Sequence, residues 1–90
     1  MTDFVYNQAN FEDQISKIDQ NIKKLESELE SFNRNFEIVK RNWSGDEYSK
    51  AEPKLLEIRK TLETAISDLR TQRNFLDNKN QDFANQVSGL

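Results

Sequence analysis

The chain of 90 residues contains no cysteine and no histidine. Without cysteine it can form neither a disulfide nor a thiolate metal site, and without histidine it lacks the commonest general base and metal ligand. Its two glycines are too few for a glycine-rich phosphate loop. Its carboxylates are scattered between the apolar positions, as on a solvated surface. We therefore expect a protein that is not an enzyme and that uses no cofactor and no metal.

Long apolar runs and clusters of positive charge are also missing. No stretch of about 18 apolar residues is present, so we expect no stable insertion into a membrane. The first residues, Met1 to Phe4, show neither the basic start nor the apolar run of a secretory signal, so we expect no cleaved signal peptide. The net charge is −3 and the basic residues are scattered, which predicts no binding of nucleic acid.

Apolar residues in the first half of the chain follow a strict helical repeat. They are spaced alternately by four and three residues, as in a heptad seam, and the positions between them are mostly polar. This pattern predicts a first helix over about residues 8–41, with Asn10 as its N-cap and with Lys40 and Arg41 at its negative end. The seam consists of Phe11, Ile15, Ile18, Ile22, Leu25, Leu29, Phe32, Phe36, Val39 and Trp43.

A turn is predicted at residues 42–46, in the middle of the chain. This stretch holds the only tryptophan, Trp43, and the only glycine away from the C-terminus, Gly45. Gly45 can adopt the positive φ angle that a tight reversal needs. Two roles stay open for Trp43: its ring can plug the end of the core, or it can also present an edge that a partner recognises.

Apolar residues in the second half recur every seven positions and predict a second helix over about residues 47–86. Pro53 fits this helix in two ways. Either the main helix begins with Ser49 as N-cap, so that the proline lies in its first turn, or a short turn begins at Asp46 and kinks near Ser49. The seam is formed by Tyr48, Leu55, Leu62, Leu69, Leu76, Phe83 and Leu90, with companions expected at Ala51, Ile58, Ala65, Gln72, Lys79 and Gln86, and with Ile66, Phe75 and Val87 on flanking positions.

Folding the chain back at Trp43 brings the two seams together in one antiparallel register, with Phe36 opposite Leu55. A two-helix hairpin covers such a seam on one side only, and a core of this size rarely supplies more than about 3–5 kcal/mol. The three flanking residues have no obvious partner within the hairpin. We therefore predict a single all-α domain over residues 1–90: an antiparallel two-helix hairpin that dimerises into a four-helix bundle.

The motif Trp43-Ser44-Gly45, its place in mid-chain and the flanking heptads resemble the WXG100 (ESAT-6-like) family over the whole chain. The resemblance implies a hairpin that is made in the cytoplasm and exported, without a cleaved leader, by a type VII (ESX/Ess-like) secretion system. It implies a secreted dimeric substrate, or a targeting partner or chaperone of a larger effector. Implied partners are a second copy, a similar helical chain or the leader domain of an LXG-type effector, and the type VII secretion ATPase. Trp43 and Gly45 would form the secretion and turn motif.

One part of the family pattern is missing. The family pairs the Trp-x-Gly turn with a Tyr-x-x-x-Asp/Glu motif beyond the second helix, and no such motif follows Phe75 or Phe83. The stretch from Tyr48 to Glu52 fits the letters but lies at the opposite end of the helix, where we expect Tyr48 to pack in the seam. A partner chain would then supply the signal. The alternative is an intracellular antiparallel coiled-coil adaptor or structural protein without a role in secretion, which the same heptads fit equally well.

Overall fold

The computed structural model describes residues 7–89, which form two α-helices and a short connector, and the predicted seam residue Leu90 lies outside this range. Helix α1 spans Gln8–Asn42, helix α2 spans Gly45–Ser88, and Trp43 and Ser44 lie between them. The two helices pack against each other in a molecule of 68 × 21 × 20 Å. At about 1.5 Å per residue, the 44 residues of α2 account for this length. The predicted all-helical, antiparallel hairpin is confirmed.

Helix α1 begins with a different cap from the predicted one. Asn7 is the N-cap, and its side-chain oxygen accepts a hydrogen bond from the backbone N–H of Asn10 at 3.2 Å. The prediction of Asn10 as N-cap was wrong. Asn7 offers the same carboxamide three residues earlier, and capping there lengthens the helix by most of a turn. The helix ends at Asn42, one residue later than predicted, with Lys40 and Arg41 in its last turn.

Helix α2 begins at Gly45, directly after its N-cap Ser44. The Ser44 hydroxyl accepts a hydrogen bond from the N–H of Glu47 at 3.3 Å and donates one to the Glu47 carboxylate at 3.0 Å. The helix start predicted at about residue 47 is thus observed two residues earlier, and of the two alternatives for Pro53 the one with Ser49 as N-cap is wrong. Pro53 lies inside the helix, more than two turns from its start, and α2 continues through it as one element.

The chain reverses without a left-handed residue. Trp43 has φ −90° and ψ 151°, and Ser44 has φ −64° and ψ 158°, so both connector residues are extended. No residue in the described range 7–89 has a positive φ angle, and Gly45 is an ordinary first residue of α2. The prediction that Gly45 uses a positive φ angle was wrong, because two extended residues suffice to separate the helix ends.

The core of the hairpin is thin. Four apolar side chains are buried, Ile15, Ile22, Phe36 and Ile66, and among the described residues none is fully enclosed. Ile66 is the most buried of the four at 5% exposure, so the expectation that it lacks a partner within the hairpin was wrong. This thin core follows from two helices, because each has one neighbour and a solvent-exposed back.

The second inward row of α2 also differs from the predicted companions. Each seam residue is followed by its inward companion four positions later rather than three. The observed row consists of Glu52, Arg59, Ile66, Arg73 and Asn80, which are buried or half-buried. In the predicted row Ile58 is 45% exposed and Gln72, Lys79 and Gln86 are exposed, while Ala51 and Ala65 are half-buried. Long arginine stems can cover apolar neighbours while their charged heads reach carboxylates, which is why polar residues occupy inward positions.

Candidate interaction surfaces

The connector forms a tip from which Trp43 projects. Its side chain is 47% exposed, although it continues the apolar spacing of α1. The backbone around it is held firmly: the Trp43 N–H donates to the Val39 carbonyl at 2.9 Å, and the Asn42 side chain donates to the Ile38 carbonyl at 2.9 Å. The indole is therefore presented to solvent on a fixed backbone and does not plug the core.

Aromatic rings pack below the tip and support it. Phe36 lies edge-on to Phe32 and to Tyr48, with ring centroids 6.0 and 6.1 Å apart. The Arg59 guanidinium lies 5.2 Å from the centroid of the Phe36 ring. A hydrogen bond to Glu52 raises the pKa of Tyr48 above its ordinary 10.0, helped by desolvation. Tyr48 thus packs across the helices, and it joins α2 to α1 next to the connector.

Whether the turn requires glycine at position 45 can be tested by substitution. A Cβ built at this position meets no atom within 4 Å, and the backbone is helical. We expect Gly45→Ala to leave the free energy of unfolding unchanged or to raise it by up to about 1 kcal/mol, because alanine restricts the unfolded chain. Thermal unfolding followed by circular dichroism tests this. A loss of more than about 1 kcal/mol would show that glycine is required by the fold.

One side of the hairpin is closed by charged residues. The two ion pairs that join α1 to α2 within the described residues are Arg70–Glu26 at 3.0 Å and Arg73–Asp19 at 3.2 Å. Asp77 adds a contact of 3.6 Å to Arg73. We define this closed side by the inward rows beside these pairs, namely Ile15, Ile22, Leu29 and Phe36 on α1, and Glu52, Arg59, Ile66, Arg73 and Asn80 on α2. All four buried apolar residues of the hairpin belong to these rows.

The opposite side is open. We define it by the two remaining inward rows, which run seven residues apart: Phe11, Ile18, Leu25, Phe32 and Val39 on α1, and Leu55, Leu62, Leu69, Leu76 and Phe83 on α2. Every member of these rows is only half-buried. Phe11 and Phe83 meet across the helices, with centroids 5.8 Å apart, as expected for rows on the same side. The open side is an apolar strip that the hairpin itself does not cover.

Other apolar side chains are exposed singly. Ile38 and Leu56 lie on outer positions of the helices, and Val87 lies near the end of α2. Phe75 is 59% exposed, and the Lys79 ammonium lies 5.6 Å from its ring centroid. The expectation that the hairpin leaves Phe75 and Val87 uncovered agrees with these exposures.

Grooves on the described surface are shallow, and their lining residues do not form a recognisable catalytic group. One groove beside the closed side is lined by Glu12, Asp19, Lys23 and Asp77 among others. Within residues 7–89 no group of three or more acidic, cysteine or histidine side chains is placed to hold a metal ion. Neither of the two described helices is apolar enough over its length to span a membrane.

The fold and these surfaces define a class: an antiparallel helical hairpin with a half-exposed tryptophan at its tip and one uncovered apolar side. Comparison with family models, curated proteins and solved structures finds no match for this chain.

Proposed function

We propose that the chain is a small exported protein of a type VII (ESX/Ess-like) secretion system. In this role it works by helix–helix contacts, either as an exported dimeric substrate or as the targeting partner of a larger effector. Pairing with a second hairpin, its own or that of a similar chain or an LXG-type leader domain, would complete a four-helix bundle. The proposal extends the resemblance of the Trp43-Ser44-Gly45 motif to the WXG100 family.

The observation that carries the proposal is the exposure of Trp43. A ring needed only for packing would be covered by its own helices, whereas 47% of this side chain faces solvent at the tip. Tryptophan is enriched among the residues that dominate binding energy at protein interfaces. The aromatic and arginine contacts below the tip fix the connector and leave the indole available to the secretion ATPase.

The need for a partner chain has separate support. The open side leaves ten inward-facing residues half-buried. A second hairpin would cover them. An antiparallel coiled-coil adaptor that stays in the cell would share the open side but would have no use for an exposed tryptophan at the connector.

Trp43→Ala tests the role of the tip. We expect the variant to keep its helices, with unfolding free energy lowered by at most about 1 kcal/mol, because the side chain is half-exposed and outside the core. We expect export into the culture medium to fall at least about tenfold in a bacterium that carries a type VII system. Quantitative blotting of cells and supernatant measures the exported fraction.

Phe75→Ala is the matched control, since it removes another exposed aromatic residue, at 59% exposure, far from the tip. It should leave export unchanged. Equal export of the Trp43 variant and the wild type would remove the tip from recognition. Retention of the wild type inside the cell, with the secretion system active, would favour the adaptor.

A further inference from the structure

Two capping sequences for helix α2 lie five residues apart. Each is a serine followed three residues later by a glutamate, Ser44 with Glu47 and Ser49 with Glu52, which is the pattern of a capping box. The structure uses the first, because the Ser44 hydroxyl bonds both the N–H and the carboxylate of Glu47. Ser49 is then an exposed residue within the helix, and Glu52 accepts a hydrogen bond from the Tyr48 hydroxyl. The second capping box is present in the sequence but is not formed.

Pro53 weakens the observed helix start and not the alternative one. With the helix starting at Gly45, Pro53 lies in its interior, where it donates no hydrogen bond to the Ser49 carbonyl and its ring crowds that carbonyl. With Ser49 as N-cap, the backbone of Ser49 is extended, so the crowding is relieved and the carbonyl can bond water. Pro53 then lies at the end of the first turn, the part of a helix that tolerates proline best.

The stretch between the two caps is held by few contacts. Its first three residues, Gly45–Glu47, are exposed, and Tyr48 is half-buried, edge-on to Phe36. None of the four buried side chains of the hairpin belongs to this stretch. Segments with few buried apolar contacts open locally at a smaller cost in free energy than global unfolding. The balance between the two starts is therefore one turn of helix against the relief of crowding at Pro53.

We propose that the start of α2 is a two-state element, in which a major state capped by Ser44 exchanges with a minor state capped by Ser49. The structure shows the major state. In the minor state Gly45–Tyr48 leave the helix and join the connector, which then spans residues 43–49. Glu52 exchanges its tyrosine partner for the N–H of Ser49 and so completes the second capping box. The rest of α2 keeps its hydrogen bonds in both states.

The two states differ in what the tip of the hairpin presents. In the major state Trp43 stands alone on a fixed bend, while the Tyr48 ring packs edge-on to Phe36, with centroids 6.1 Å apart. In the minor state Tyr48 is released from Phe36, so that both rings lie on one longer loop. A partner that contacts both rings would bind the minor state more tightly and draw the equilibrium toward it. Only this consequence for recognition rests on the proposed function, and the two-state start stands without it.

Residue-resolved amide hydrogen exchange of the full chain distinguishes this switch from ordinary fraying of a helix end. The minor state frees the amides of Tyr48 to Ala51 together and leaves those from Lys54 onward bonded. We therefore expect one shared protection factor for the first group and a step of about tenfold or more at Lys54. Ser49→Ala removes the cap of the minor state and should slow exchange of the first group about fivefold. Lys50→Ala, at the neighbouring exposed position, is the control and should change it less than about twofold.

Two further variants act on the major state. Ser44→Ala removes its cap and should speed exchange of the same amides about fivefold. Pro53→Ala restores a donor for the Ser49 carbonyl and should slow their exchange about fivefold or more. Protection that declines gradually along α2 with no step, or a Ser49→Ala variant that acts no more strongly than its control, would overturn the inference. None of these results bears on the export of Trp43→Ala, so the two proposals can fail separately.

Discussion

Ile66→Ala is expected to lower the free energy of unfolding by about 2–4 kcal/mol. Ile66 is the most buried side chain of the hairpin, at 5% exposure, and the one apolar residue in its row of α2. Its truncation removes buried methyl and methylene groups and leaves a cavity that polar neighbours in the same row cannot fill. Because a core of this size supplies only about 3–5 kcal/mol, the loss would remove most of the stability of the hairpin.

Ile38→Ala is the matched control, since it removes the same atoms from a side chain that is 47% exposed. It should cost less than about 1 kcal/mol, and the gain in helix propensity offsets part of that cost. Both variants are compared with the wild type by urea unfolding at one protein concentration, because association with a second chain would make stability depend on concentration. Similar losses for the two variants would show that Ile66 is not part of a core.

Pro53→Ala is expected to stabilise the protein by about 1–3 kcal/mol. Pro53 lies inside α2 and is exposed, so the substitution removes no packing. Proline in a helix interior lacks the N–H that would bond the carbonyl four residues earlier, here that of Ser49, and its ring crowds that carbonyl. Alanine restores the hydrogen bond and has the highest helix propensity.

The midpoint of thermal unfolding measures this gain. For a domain of this size each kcal/mol raises the midpoint by about 4–8 °C. Lys54→Ala changes the neighbouring exposed residue without altering the backbone, and it should leave the midpoint nearly unchanged. An unchanged or lower midpoint for Pro53→Ala would mean that α2 already accommodates the proline without loss.

The hairpin itself could be predicted from the sequence because heptad spacing in both halves leaves no other regular structure. The N-caps could not, although the predicted first residue of the first helix, about residue 8, agrees with Gln8. Two Ser-x-x-Glu stretches, at Ser44 and at Ser49, fit an N-cap equally well. Pro53 favoured Ser49, because proline is well tolerated in the first turn of a helix. The structure uses Ser44, since the helix gains more than a turn by starting there and the connector needs only two residues.

The companion row of α2 was mispredicted for a related reason. Positions three and four after a seam residue both lie near the partner helix, and apolarity favoured Ala51 and Ile58. Arg73 and its ion pair with Asp19 occupy the inward row instead. Spacing within one helix cannot reveal such a pairing, because it depends on residues 54 positions apart.

At the candidate site, the sequence placed Trp43 at the reversal but left its role open. Its exposure depends on how closely the two helix ends approach, which the extended conformation of Trp43 and Ser44 decides. The open side could likewise not be distinguished from the closed side by the sequence, because all members of both seams have the spacing of core residues. The ion pairs of Arg70 and Arg73 across the helices and the burial of the rows beside them make one side different from the other.

The reversal at Trp43 and Ser44 is the feature on which every surface described above depends, and one distance tests it. Gln20→Cys and Thr71→Cys place two spin labels on exposed positions of opposite helices in a chain that has no other thiol. Dilution with unlabelled chains restricts electron paramagnetic resonance to distances within one molecule. Packed helices lie about 8–10 Å apart, so the hairpin predicts a label separation below about 30 Å. A separation of roughly 75 Å, as an unbroken helix of about 1.5 Å per residue would give, would contradict it.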